Sequence, residues 1–200
     1  MMKKPFPSKA RMRWRRLDVT GQEEARIEQT SRGWWRLTGR LEAEEASVRA
    51  QLEYVIECDR EWRTRRAIVT GSACGAPVRF EFSADGEGHW TLNGAPLRLV
   101  EGALDLDLGF TPATNLLPIR RLDLAVGERA GVRTAWLRFP ELRVESLEQS
   151  YLREAAQVFR YDASVDGERF QARLDTDEFG CVLLYEGLWE AEPIGRVASE

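Results

Sequence analysis

Apolar and polar residues alternate along much of the chain with a period of two. The clearest run covers residues 48–58, where Val48, Ala50, Leu52, Tyr54, Ile56 and Cys58 are apolar and only Val55 breaks the alternation. A period of two places successive side chains on opposite faces of a strand. The run therefore predicts a long β-strand with one face in a core and the other in water.

Shorter segments have the same character. They are WWRLTGRL from residue 34, RRAIVTG from residue 65, Val78–Phe82, Trp136–Phe139 and Val182–Tyr185. Residues 41–47 are charged, and we expect them to connect the first of these segments to the strand at 48–58.

Three dipeptides predict reversals of the chain: Asp85-Gly86, Asn93-Gly94 and Asp166-Gly167. Asx-Gly pairs tolerate the positive φ of a type I′ turn, whose twist suits antiparallel strands. HWTL should therefore pair with APLRLV across the second reversal, and VFRYDASV with ERFQARLD across the third.

Residues 146–157 admit two interpretations. Ser146 and Gln149 have the spacing of a capping box, with Leu147, Tyr151 and Ala155 at helical spacing. The same residues can form a strand and a turn. We favour the strand, because a lone helix would interrupt a run of adjacent hairpins.

These patterns predict a single all-β domain, a strongly curved antiparallel sheet spanning residues 12–192. We expect a basic N-terminal tail at 1–11 and a C-terminal tail at 193–200. Roughly ten or more strands are expected, and a sheet of that size usually curls or closes to hide its edges.

Composition narrows the choice of function. The chain is 43% hydrophobic and 10% aromatic, which is sufficient for a core. Its net charge of −4 argues against a nucleic-acid partner, since phosphate contacts need clustered Lys and Arg. Three widely separated cysteines show neither a metal-ligand spacing nor a disulfide framework. They fit a reducing compartment, so we expect a cytoplasmic protein.

The N-terminal run MMKKPFPSKARMRWRR is basic, and no apolar stretch of signal-peptide length follows it. We interpret it as a solvated tail, with contact to anionic lipid as the alternative. No segment approaches the roughly 20 apolar residues that a membrane helix needs.

The stretch Leu104–Arg121, LDLDLGFTPATNLLPIRR, carries the candidate chemistry. It begins as an alternation of leucines with Asp105 and Asp107, breaks into a loop, and leaves through Arg120 and Arg121 toward an expected further strand. If the two strands pair, Arg121 lies opposite one of the aspartates, while Arg120 falls on an apolar side and must meet a partner, a ligand or water.

Three motifs together resemble those of the bacterial family named putative glycolipid-binding proteins, formerly a domain of unknown function. They are DGEGHW at residue 85, DLDL with TPATNLLPIRR from residue 105, and QSY at residue 149. The resemblance covers about residues 12–190 and implies an open barrel similar to the bacterial lipoprotein carriers, with an amphiphile in its groove. In this sequence the variable position of DGxGxW holds the only histidine, His89.

The candidate ligand-binding residues are Trp90, Asp105, Asp107, Thr114, Asn115, Arg120, Arg121 and Tyr151. Arginine offers planar donors to a phosphate, carboxylate or sugar hydroxyl. Each candidate has a structural alternative. The charged residues can form a surface salt bridge, Thr114 and Asn115 can build the turn, and the aromatic residues can belong to the core.

Catalytic signatures are weak, and we expect no catalytic residue, cofactor or metal. A Ser-His-Asp triad would have to use His89, and no nucleophile elbow is present. Asp105 and Asp107 could run acid-base chemistry, but with arginines nearby both should stay ionised.

Three hypotheses follow. The favoured one is a non-enzymatic binder of a glycolipid or another amphiphile in the concave groove of the sheet. The second is an enzyme that acts on a small substrate at the Asp/Arg cluster, and the third is a module that binds a partner protein.

Overall fold

The alternating segments form the strands of one sheet. The structure, a computed structural model, describes residues 5–45 and 48–193. Its strands are β1 Lys9–Arg16, β2 Thr20–Gln29, β3 Trp35–Glu45, β4 Val48–Cys58, β5 Thr64–Ala73, β6 Ala76–Ala84, β7 Trp90–Leu92, β8 Ala95–Pro96, β9 Asp105–Leu108, β10 Arg129–Arg138, β11 Arg143–Ala155, β12 Val158–Val165, β13 Glu168–Thr176, β14 Val182–Tyr185 and β15 Trp189–Ala191. A single α-helix is described, α1, at Leu116–Leu122.

The 15 strands of the described residues lie in the order β8-β7-β6-β5-β4-β3-β2-β1-β15-β14-β13-β12-β11-β10-β9. Neighbours pair antiparallel except β9 and β10, which run parallel. The sheet is strongly curled and not closed. The predicted fold class, one strongly curved antiparallel sheet with little helix, is confirmed, with one parallel pair as the exception.

The curl arises because every long strand has one apolar face. In β4 the side chains of Ala50, Leu52, Tyr54 and Ile56 are buried, and the residues between them are exposed. Buried residues from the other half of the sheet, such as Tyr151, belong to the same hydrophobic core. Curling lets a single sheet bury all these faces against one another.

The structure differs from the N-terminal tail expected at residues 1–11, because β1 already begins at Lys9. Phe6 is buried as well, with 8% of its surface exposed. Residues 9–11 therefore belong to the sheet and Phe6 to the core, rather than to a tail. Met12 and Trp14 alternate with arginines in KARMRWRR, so the run is an amphipathic strand whose polar face is entirely basic. Residues 1–4 and 194–200 lie outside the described residues.

The expected connection at 41–47 also differs, because β3 continues to Glu45, while residues 46 and 47 lie outside the described part. Residues 146–157 are strand up to Ala155, as favoured from the sequence.

Two predicted reversals have the geometry expected of them. Asn93 and Gly94 have φ of 51° and 82°, and Asp166 and Gly167 have φ of 53° and 82°. Each dipeptide joins two paired antiparallel strands, β7 to β8 and β12 to β13. APLRLV is strand only at Ala95–Pro96, and Arg98–Val100 forms a 3₁₀ turn.

The stretch after β9 differs most from expectation. Pro112–Asn115 form a 3₁₀ turn that leads directly into α1, so Arg120 and Arg121 lie on a helix rather than a strand. Pro118 occupies the third position of α1, where a backbone N–H would lack an intrahelical partner in any case. The prolines therefore shape the start of a helix here rather than prevent one.

Candidate functional site

Arg121 and Asp105 form a buried ion pair between α1 and β9. Arg121 Nε lies 3.1 Å from Asp105 Oδ1, and Nη2 lies 2.6 Å from Oδ2. Asp105 has no exposed surface. Burial raises the pKa of Asp105, and the Arg121 guanidinium opposes that rise. This pair is therefore not the bridge on a solvated face that the sequence left open.

Asp107 belongs to a second group, the interior polar cluster, which consists of Asp107, Thr114, Asn115, Gln149 and Tyr151. Gln149 Nε2 donates to Asp107, and Asn115 Nδ2 donates to the Tyr151 hydroxyl at 3.0 Å. Desolvation raises the pKa of Asp107 to about 6, against hydrogen bonds from Gln149 and Thr114. The cluster joins the segment after β9 to the inner face of β11.

The Arg120 side chain lies against aromatic rings and belongs to neither the Asp105 ion pair nor the interior polar cluster. Its guanidinium carbon lies 5.5 Å from the ring centre of Phe6 and 5.5 Å from that of Trp62. Its Nη1 also donates to the Phe179 carbonyl at 3.3 Å. Successive residues of a helix diverge by about 100°, which separates Arg120 from Arg121.

Trp90 does not join these groups. Its indole Nε1 donates to the Ala103 carbonyl at 2.8 Å, and its ring lies edge-on to Phe82. It is buried, with 4% exposed, and holds the chain segment that enters β9. The predicted site residues therefore divide among a buried ion pair, an interior cluster, an arginine among aromatic rings, and a separate core tryptophan.

Arg120 also lines an open cavity. We call it the arginine–aromatic mouth, a cavity of about 870 Å³. It lies where four strands end side by side, since Gln29 pairs with Trp35, Trp35 with Cys58, and Cys58 with Thr64. The mouth is therefore at one end of the curled sheet.

The apolar wall of the mouth consists of aromatic rings. Trp35 and Trp62 stack with their ring centres 4.6 Å apart and their planes 13° apart. Phe6 meets both rings edge-on at 5.2 and 5.3 Å. Aromatic pairs in these geometries contribute roughly 0.5–1.5 kcal/mol beyond their buried area.

The turn between β4 and β5 supplies Trp62 to this wall. Asp59 Oδ1 accepts hydrogen bonds from the backbone N–H groups of Glu61 and Arg63, each at 3.0 Å. Trp62 has φ of +67°, a conformation that bulky residues rarely adopt and that occurs preferentially at functional sites. The turn holds Trp62 inward and carries Arg60 and Arg63 on either side of it.

Charge around the mouth is mainly positive. Four arginines line it, at positions 60, 63, 120 and 121, against the two acids Glu61 and Asp123. Asp105 compensates the charge of Arg121, which leaves three arginines against two acids. The whole chain carries −4, so the mouth is a cationic region on an acidic protein.

Sequence reasoning missed Phe6, Arg60, Trp62 and Arg63. A signal was present in DREWRTRR, where one tryptophan stands inside an otherwise charged turn between two strands. Phe6 gave no signal, because it lies in a run that reads as a basic tail.

A smaller cavity of about 270 Å³ lies on the other side of Arg120, lined in part by Phe159, Asp177 and Phe179. Within the described ranges, no group of His, Cys, Asp and Glu is placed to hold a metal ion. No helix described here is long and apolar enough to cross a membrane.

Fold and site together define an all-β protein with one open, curled sheet and a cationic aromatic cavity at one end of it. The sequence matches the family described as "Putative glycolipid-binding" over residues 11–191, and the chain belongs to that family.

The fold is similar to the crystal structure of a DUF1089 family protein from Pseudomonas aeruginosa. The two chains are 33% identical with a TM-score of 0.77, and the match covers 85% of this chain and 91% of the other. None of the curated proteins compared with the chain matches it.

Proposed function

We propose that this protein is a non-enzymatic binder of a glycolipid or a related amphiphile, whose head group occupies the arginine–aromatic mouth. The observation that carries the proposal is the stacked Trp35–Trp62 pair beside four arginines in one open cavity. The description of the family agrees with it.

The two walls of the mouth suit the two parts of such a head group. A sugar ring presents apolar C–H faces and hydroxyl edges, which match aromatic rings and guanidinium donors respectively. A few directed polar groups on an apolar wall are the usual composition of a small-molecule site.

The apolar tail of the ligand requires a correction to the expected groove. We expected an apolar groove in the concave face of the sheet, with the Asp/Arg cluster at one end of it behind the TPATNLLP segment. Side chains of the protein itself pack in the interior there. Leu106, Leu108, Phe110 and Leu117 are each at most 1% exposed. Burial of these side chains contributes about 1.5–3 kcal/mol each, which favours a filled interior. The proposal therefore places the tail along the wall of the mouth rather than through the interior.

One observation favours an enzyme instead, the buried Asp107 with its pKa raised to about 6. Asp107 lines neither of the two cavities that flank Arg120, and its carboxylate is bound by Gln149. A substrate would have to displace the segment after β9 to reach it, so binding at the mouth is the better-supported function.

A strand-accepting interaction module is less well supported. At one edge of the sheet β8 has two residues and ends in Pro96, which cannot donate to a ladder. At the other edge, β9 already bonds to Thr64 of β5.

Tryptophan fluorescence during titration with glycolipid vesicles tests the proposal, together with native mass spectrometry of the purified protein after lipid extraction. Trp62→Leu keeps an apolar side chain but removes the stacking ring, so we expect at least tenfold weaker binding. Trp136→Leu is the matched control, because Trp136 is half-buried under Arg138 and does not line the mouth. Equal binding by the wild type and Trp62→Leu, with both folded, would contradict the proposal.

A further inference from the structure

Resting on the proposed function, we infer that the head group bound in the mouth carries a phosphate, and that Arg60 and Arg63 hold it. The inference concerns the chemical class of the ligand.

Arginines elsewhere on the surface are generally paired with carboxylates. Examples from different strands are Arg36 with Glu57, Arg66 with Glu81, Arg138 with Asp166 and Arg173 with Asp175. For Arg60 and Arg63 no such ion pair is described, as is also the case for the exposed Arg11 and Arg26, so it is their position in the mouth that distinguishes them. Arg60 Nη2 donates to the Arg32 carbonyl at 3.1 Å, and within residues 5–45 and 48–193 the Arg63 guanidinium has no ion pair. Their charge is thus left for another partner.

The positions of Arg60 and Arg63 allow both side chains to bind the same ligand. Both belong to the turn fixed by Asp59, with Trp62 between them, and both line the mouth. Because the turn is held by its own hydrogen bonds, little ordering is needed when a ligand binds.

The hydrogen-bond donors and charge of the guanidinium groups favour a phosphate as the bound group. Two planar guanidinium groups present several N–H donors, which match the terminal oxygens of a phosphate mono- or diester in bidentate geometry. A neutral sugar would leave both charges without compensation. Asp105 compensates Arg121, and Asp59 is paired with Arg65. Of the lining charges that remain, the acids Glu61 and Asp123 are fewer than Arg60, Arg63 and Arg120, so the local potential still attracts an anion.

Two sources share this chemistry, the head group of a phospholipid-linked sugar in a membrane and a free sugar phosphate. Four probes separate them: inorganic phosphate, glucose 1-phosphate, phosphatidylcholine vesicles with phosphatidylinositol, and phosphatidylcholine vesicles with neutral galactosyl diacylglycerol. Calorimetry and vesicle flotation at low and high salt measure the binding.

The test variant is Arg60→Gln with Arg63→Gln. Its matched control is Arg11→Gln with Arg26→Gln, two exposed arginines that face each other across β1 and β2, away from the mouth. We expect phosphatidylinositol vesicles to bind the wild type more tightly than galactolipid vesicles. The test variant should lose at least tenfold in that affinity, and the control should keep it.

Each other outcome has a distinct meaning. Equal binding of both vesicle types, unchanged in the test variant, would overturn the phosphate inference and leave the proposed function standing. Binding of glucose 1-phosphate alone, lost in the test variant, would support the phosphate chemistry and overturn the amphiphile. If no probe binds to the wild type, both the inference and the proposed function fail.

Discussion

Glu23 shows how far one residue can depart from its usual behaviour. It lies on the inner face of β2 with no exposed surface, and its Oε1 accepts hydrogen bonds from the Tyr54 and Thr111 hydroxyls, both at 2.6 Å. Within the described ranges its Oε2 has no hydrogen-bond partner. Desolvation raises the pKa of Glu23 to about 8, although both hydroxyls oppose the rise. Glu23 therefore joins β2 to the segment after β9 as a neutral carboxyl at neutral pH.

We expect Glu23→Gln to remove part of the pH dependence of stability. The pKa of Glu23 is about 8 in the fold and 4.5 as its ordinary value, so the folded state holds the proton across that window. Its contribution to stability is complete below about pH 4.5 and is lost as the pH rises through about 8, at up to about 1.4 kcal/mol per pH unit. Glutamine imitates the protonated form and does not titrate. Urea unfolding between pH 5 and 8 should show a flatter profile and a stability above wild type near pH 8.

Glu24→Gln is the control for this experiment, because Glu24 is the next residue along β2 and is exposed on the outer face. It should keep the wild-type slope. A Glu23→Gln profile parallel to wild type across the window would show that Glu23 does not carry the proton.

At the scale of elements, turns and register determine which segments pair. Asx-Gly dipeptides close β7–β8 and β12–β13 because both central residues have positive φ. The β5–β6 reversal also has two central residues with positive φ, Cys74 at 50° and Gly75 at 77°. A cysteine is an unusual residue at the first of these positions, where Asn, Asp or Gly is preferred.

Gly94→Val should destabilise the protein through the backbone alone. A Cβ on Gly94 would meet nothing within 4 Å, so any effect comes from its φ of +82°. A left-handed conformation costs an L-residue roughly 1–2 kcal/mol, and β-branching adds to that cost. We expect a lower melting temperature by circular dichroism.

Gly131→Val gives the comparison within a strand, since Gly131 lies in β10 and is not in the left-handed region. Its effect should be small. If both variants melt with the wild type, the turn assignment at Asn93 and Gly94 does not matter for stability.

At the scale of the whole molecule, the edge strand β9 ties distant parts of the curl together. It pairs with β10 on one side, and on the other the Thr64 N–H of β5 donates to the Leu104 carbonyl at 3.0 Å. Thr64 Oγ1 in turn accepts the Leu106 N–H at 3.1 Å. Both halves of the curled sheet are thereby held to the segment that carries Asp105 and Asp107.

Thr64→Val should loosen this tie, because it leaves the buried Leu106 N–H without its acceptor. An unsatisfied buried group costs about 1–3 kcal/mol. Hydrogen exchange should report faster exchange at Leu106 and in β9, along with reduced stability in urea.

Thr64→Ser retains the hydroxyl and should restore protection of the Leu106 amide. Equal protection of that amide in the Val and Ser variants would mean that the hydroxyl does not hold β9.

The sequence by itself determined the strands, because a period of two in apolar residues is a local property that any curled sheet must satisfy. It also determined two hairpins, since φ preferences act within a dipeptide. Two strands were not identified from the sequence, because their charged residues obscured the alternation. In β1 the basic residues made the run resemble a solvated tail, and β2 is rich in charged residues along its length.

Only the tertiary structure decided how the polar residues are grouped. The DLDL aspartates share one face of β9, as the alternation requires, yet Asp105 meets Arg121 while Asp107 meets Gln149 from β11. Phe6, Trp35 and Trp62 form one wall although 56 positions separate the first from the last in the sequence. Such contacts depend on the curl and register of the whole sheet, which sum over many weak pairings and leave no pattern in neighbouring residues.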